Sequence, residues 1–188
     1  MDGYASGKFR MFNPPESIIL QCKGFQALIW ALHIVWKDKN IFTSEENRII
    51  DEYMLPTYFE HDMSSDVFKS SKKWIKKPIW GREGKGIIVV DNTDSLIMEK
   101  EIDSPEEVIQ RESKTCIYQK FVDQIKIPTK VDDPNINDGF FTLSCFMLGD
   151  KADALYARVS PEQITGTEAY WSPVICDCNI TMKRRLKR

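Results

Sequence analysis

The sequence predicts an α+β fold, an antiparallel sheet with helices packed against it. Three observations carry that prediction. The N-terminal third holds two segments with helical periodicity and capping residues. A glycine-rich turn at residues 81–86 has strand-forming runs on both sides. Two more strand runs, residues 140–148 and 152–159, meet at the short turn Gly149-Asp150-Lys151. Helices first and hairpins after places strands beside their sequence neighbours, which favours antiparallel pairing.

The first helix is opened by Asn13, with Pro14 and Pro15 suited to its first turn and Glu16 complementing its dipole. Ile18, Cys22, Phe25, Ile29, Leu32 and Trp36 recur at helical spacing and are expected to face a core. Lys23 falls outside that stripe, on a flank with Ile19 and Trp30. It is either a solvated helix lysine or one aimed into a cleft, and spacing does not choose between them. A second helix is expected over residues 45–54. Thr43 followed by Glu46 forms a capping-box pattern before it, and Pro56 ends it. Residues 61–73 then read as a loop or short helix. Its His61-Asp62, with His33 the only other histidine and that one in a helix, does not make a metal site.

Residues 74–90 read W-I-K-K-P-I-W-G-R-E-G-K-G-I-I-V-V, two short strands around a glycine turn. Gly81, Gly84 and Gly86 let a backbone approach a ligand closely, since no Cβ blocks it. Lys76, Lys77, Arg82 and Lys85 lie near the turn. Exposed N–H groups and cations together suit a phosphate chain. A P-loop or a dinucleotide loop needs a helix after its glycines, whereas Ile87, Ile88, Val89 and Val90 favour strand. A hairpin lid over phosphates fits that pattern; an ordinary glycine hairpin with solvated lysines is the alternative. Further on, Ser104-Pro105-Glu106-Glu107 opens another short helix, residues 116–122 read as a strand, and residues 127–139 read as a surface loop rich in Pro, Asp and Asn.

Composition bounds the function classes. With 188 residues, 42% of them hydrophobic and 29% charged, the chain can bury a sizeable core as one or two subdomains. A net charge of −2 argues against a surface built for nucleic acid, and only the tail K-R-R-L-K-R is strongly basic. No apolar run reaches the roughly 20 residues of a membrane span, and the N-terminus has no apolar signal core. The five cysteines are scattered, with Cys176 and Cys178 a lone C-x-C, so reduced thiols in a cytoplasmic protein are expected.

Five separated pieces then match one family in one order: N-P-P-E-S-I-I-L-Q-C-K-G at 13–24, L-P-T-Y-F at 55–59, W-I-K-K-P-I-W-G-R-E-G at 74–84, I-Y-Q-K-F at 117–121, and A-R-V with I-T-G at 157–166. On these pieces the chain resembles the ATP-grasp domain of the glutathionylspermidine synthase family, which includes trypanothione synthetase-like enzymes. The resemblance implies an ATP-grasp-like fold similar to the ATP-binding domain of glutathione synthetase, here partial. It would span residues 13–178, with a glycine-hairpin lid at about 60–115, an N-terminal remnant at 1–12 and a basic tail at 179–188.

The resemblance also implies chemistry. Family members use ATP to activate a carboxylate, glutathione's glycine end, as an acyl phosphate that an amine, spermidine, attacks. By position, Lys23 and Lys77 resemble the phosphate-binding lysines, with Gly81 and Gly84 in the loop. Arg82 resembles the catalytic arginine over the transferring phosphoryl group. Gln119, Lys120, Phe121 and Val122 resemble the strand whose backbone meets adenine, and Arg158 a further phosphate-side arginine. The family's acidic Mg²⁺ ligands and a further catalytic arginine lie upstream of the N-P-P helix, so their absence is expected and the chain is expected to be a truncated or split piece. Val159 and Thr167 replace the acidic residue and the Asn that often follow the Arg158 position and the I-T-G. A non-catalytic remnant or interaction module that keeps the fold is the second reading. Separately, a truncated domain would expose apolar surface around Trp30 and Trp80, a route to self-association. A nucleic-acid binder using residues 183–188 is the third.

Overall fold

The computed structural model describes residues 2–11, 13–36, 39–59, 66–100, 105, 108–109, 115–129 and 137–174. They fall into two units, Met1–Val122 and Asp123–Arg188. Both pair a sheet of antiparallel strands, and all helices assigned among the described residues lie in the first, so the α+β expectation holds.

The first unit opens with a short helix, α1 (Asp2–Ala5), then a 3-10 helix over Pro15–Gln21 and α2 (Lys23–Val35). The single helix read from the sequence is thus two, bent by 68°. Cys22 at the junction is extended (φ −75°, ψ 115°), and the Lys23 N–H donates at 3.0 Å to the carbonyl of Ile79. The first turn of α2 therefore takes a partner from the residue just after the strand Lys73–Pro78 rather than from the preceding turn. The expected core stripe moves with that break. Ile18 and Trp36 are exposed, and α2 buries Gly24, Ala27, Trp30 and His33 instead. Lys23 shares the i, i+4, i+7 face with Ala27 and Trp30. Trp30, expected on an exposed apolar surface, is 8% exposed, while Trp80 is 53% exposed.

Helix α3 (Ser44–Tyr53) forms as its caps dictate. Thr43 Oγ1 accepts from the Glu46 N–H, and the Glu46 carboxylate accepts from the Thr43 N–H. Buried His33 ties α2 to α3: Nδ1 meets Asn47 Oδ1 at 2.6 Å and Nε2 meets Asp51 Oδ1 at 2.7 Å.

The first sheet has the order β1 (Thr57–Tyr58), β5 (Cys116–Lys120), β2 (Lys73–Pro78), β3 (Ile88–Asp91), β4 (Leu96–Glu99), all antiparallel. One face carries Trp74, Val90 and Tyr118, packed by Phe68 of α4 (Asp66–Lys69); the Phe68 and Trp74 rings are 4.3 Å apart. The other carries Thr57, Val89 and Ile117, and α2 packs on it at β1 and β5. The glycine hairpin is there: β2 and β3 pair from Lys73 opposite Asp91 to Lys76 opposite Ile88. β5 stops two residues short of its expected end. β1 and β4 were not foreseen. The β3–β4 turn is closed by Asp91 Oδ1, which accepts from the N–H groups of Thr93 and Ser95.

In the second unit the order is β6 (Lys126–Pro128), β7 (Asp138–Leu148), β8 (Lys151–Ser160), β9 (Tyr170–Pro173). The β7–β8 hairpin turns where expected, with Gly149 at φ 63°. β6 begins the stretch read as loop, and β9 is new. Phe146, Tyr156 and Trp171 form a row of rings 4.9 and 5.0 Å apart. No helix among the described residues is long and apolar enough to cross a membrane. The helix read at Ser104 lies largely outside the described residues, and His61-Asp62, Cys176, Cys178 and the basic tail lie wholly outside them.

Candidate functional site

The candidate site lies where the start of α2 meets the glycine loop and the C-terminal end of β2. Lys23 is the first residue of α2, and its Nζ donates at 2.7 Å to the carbonyl of Gly81. Gly81, Glu83, Gly84 and Gly86 all have positive φ, from 58° to 136°. In this left-handed region only glycine is unstrained, so the glycines set the course of the loop. Lys23, Gly81, Arg82, Glu83, Gly84, Lys85 and Ile87 line a cavity of about 50 Å³. Arg82 is exposed and forms no ion pair among the described residues.

Strand alternation then sorts the lysines of β2. Lys77 stands opposite Ile117 and on one face with Ile75, Gln119 and Thr57, whereas Lys76 points to the other face, its Nζ 5.6 Å from the Tyr118 ring. Lys77 Nζ donates at 2.8 Å to Gln119 Oε1, and Gln119 Nε2 donates at 2.9 Å to Thr57 Oγ1. Burial pushes the Lys77 ammonium down from 10.5 to about 8, helped by the nearby charge of Lys23. Burial lowers Lys23 as well, partly opposed by Cys22. Two cations thus sit close together with no carboxylate paired to either among the described residues. Such a pair is poised for an anion.

The structure brings together Lys23, Lys77, Gly81, Arg82, Gly84 and Gln119. The rest of the 119–122 segment follows β5. Lys120 and Phe121 use their N–H groups on the carbonyls of Pro56 and Lys73, at 2.9 and 3.2 Å. The Lys73 ammonium is 5.5 Å from the Phe121 ring, and Val122 is exposed. Arg158 belongs to the second unit, on β8 between Thr142 and Trp171, and its Nε is buried without a partner among the described residues. Thr57 is the site residue that sequence reasoning missed. Its place just after Pro56 gave no periodicity to read, and its partner Gln119 is 62 residues away along the chain.

Among the described residues no group of three or more His, Cys, Asp or Glu could hold a metal ion. A larger cavity of about 730 Å³ lies at the α2–α3 connection, lined by Phe42, Asn47, Arg48 and Asp51 among others. Arg48 there is already matched by Glu45 and Glu52. The unmatched charge is at the lysine pair, which marks it as the better ligand site.

No curated protein matches the chain. The family model described as glutathionylspermidine synthase preATP-grasp matches residues 2–177.

Proposed function

The chain belongs to the glutathionylspermidine synthase family, and from that premise we propose that it forms the ATP-binding portion, with an ATP-grasp fold, of an ATP-dependent carboxylate–amine ligase. The carrying observation is the Lys23–Lys77 pair beside the glycine loop, two half-buried ammonium groups whose hydrogen-bond partners are neutral oxygens. A phosphate chain laid there would neutralise both charges, and Arg82 on the loop would reach it from solvent. Bound in this way, ATP would supply the phosphoryl group that converts a carboxylate into an acyl phosphate, which an amine then attacks to give the amide and phosphate. The chain's own part is to place the phosphates and offset their charge, which is most of what phosphoryl transfer asks of a protein. The half-buried ring of Phe121 offers apolar surface for a base, whereas Ile117 is fully buried in the core. Among the described residues no set of carboxylates converges that would hold Mg²⁺.

Calorimetry with a non-hydrolysable ATP analogue tests the reading. The wild type should bind, and Lys77→Ala should weaken binding by at least about tenfold while leaving the fold intact, since a charged hydrogen bond is lost. A wild type that takes up no nucleotide at millimolar concentration overturns the proposal and favours a non-catalytic module.

A further inference from the structure

The hydrogen bonds behind Lys77 run in one direction. Lys77 Nζ donates to Gln119 Oε1 at 2.8 Å, Gln119 Nε2 donates to Thr57 Oγ1 at 2.9 Å, and the Thr57 hydroxyl donates to the carbonyl of Leu55 at 2.7 Å. Each link fixes the next. A backbone carbonyl only accepts, so the Thr57 proton is committed to Leu55. The Thr57 oxygen is then left as acceptor for the Gln119 amide N–H, and the amide oxygen is left for Lys77. Thr57 is 1% exposed, so solvent does not compete for the anchor. The sheet register sets the spacing: Thr57 is opposite Gln119, and Gln119 is opposite Ile75, two residues before Lys77.

The charge content of this chain matters as much as its geometry. A carboxylate at position 119 would hold the ammonium equally well and cancel its charge. The amide holds it and cancels nothing. Lys23 is treated the same way, by the carbonyl of Gly81. We propose that Gln119 and Thr57 are positioning residues for Lys77: they hold its ammonium through neutral acceptors, so that its full charge remains for an anionic ligand of the phosphate class. This rests on the reading of the lysine pair as a phosphate site. The other ionisable groups around the pair are Cys22 before α2, and Arg82, Glu83 and Lys85 lining the loop cavity with Lys23.

The test uses inorganic triphosphate, which carries no base, so that any contact of residue 119 with adenine does not enter. Its binding to the whole chain is followed by calorimetry across pH. For the wild type, affinity falls as pH rises through about 8, where Lys77 loses its proton. Gln119→Glu is expected to bind about tenfold more weakly at neutral pH, because the new carboxylate takes the charge. Its fall with pH should also move upward, because the ion pair keeps Lys77 protonated. Thr57→Val should weaken binding about threefold by freeing the amide to turn, and Thr57→Ser should restore it. Wild-type affinity and an unchanged pH midpoint in Gln119→Glu overturn the proposal, as does a Thr57→Val variant equal to Thr57→Ser. If Lys77→Met loses triphosphate while Gln119→Glu does not, the positioning role alone fails. If the wild type binds no triphosphate, or Lys77→Met binds it equally, the phosphate reading fails and the positioning role with it.

Discussion

Lys77 carries an electrostatic cost that the fold does not relieve, and that cost is measurable without any ligand. Its ammonium is lowered from 10.5 to about 8, chiefly by burial and then by Lys23. Below about pH 8 the lysine is charged in both folded and unfolded states, and the folded state bears the whole penalty. Between about 8 and 10.5 the folded protein has lost a proton that the unfolded chain keeps, so stability rises with pH across that window. Above it both states are neutral and the penalty is gone. The full shift corresponds to at most about 3–4 kcal/mol, less where solvent screens the charge. Lys77→Met should therefore show a flatter rise in stability between pH 8 and 10.5 than the wild type, measured by urea unfolding at a series of pH values. The slope is the diagnostic quantity, because the substitution also leaves Gln119 Oε1 without its donor at a cost of about 1–3 kcal/mol. Equal slopes would show that the lysine is not strained by burial.

Among the elements, α3 was legible because everything that defines it is local. Thr43 and Glu46 satisfy each other's N–H groups within one turn, and that pattern is written in four consecutive residues. Thr43→Ala should cost about 1 kcal/mol. It should also loosen the tie between α2 and α3, since Asn47 and Asp51, the partners of His33, lie on the same helix. Hydrogen exchange at the α3 amides reads both effects, and unchanged protection would refute the role of the cap. By contrast, α2 was misread because its start is fixed from far away, by the Ile79 carbonyl and by the close fit of Gly24 against Phe59 and Ile79. Apolar spacing through Ile18 to Trp36 looked continuous, yet the break at Cys22 turned the buried face to Gly24, Ala27, Trp30 and His33. The glycine hairpin was legible from its glycines and β-branched flank. The short strands β1, β4, β6 and β9 were not, because strands of two to four residues are defined by their partners and not by their own pattern. The same holds within the site: residue types and motif spacing marked the cations, while Thr57 came into view only once β1 had paired with β5.

For the whole molecule, the two units hold separate sheets, so damage to one core should stay in that unit. Gly139 offers a clean way to test this. It lies in β7 opposite Ile127, and a Cβ built there would come within 2.4 Å of Val159 Cγ1 and 3.2 Å of the Ser160 carbonyl. Neither neighbour yields easily: one is a stiff β-branched side chain and the other is backbone of β8. Gly139→Ala should then destabilise the second unit by about 1–3 kcal/mol through overpacking. In the first unit Phe68, Trp74, Val90 and Tyr118 form their own core. Hydrogen exchange of this variant should show lost protection in β7 and β8 and wild-type protection in β2, β3 and β5. Equal loss in both sheets would mean that the chain unfolds as one cooperative body. Residues 123–188 would then be needed to keep Lys23 and Lys77 in place.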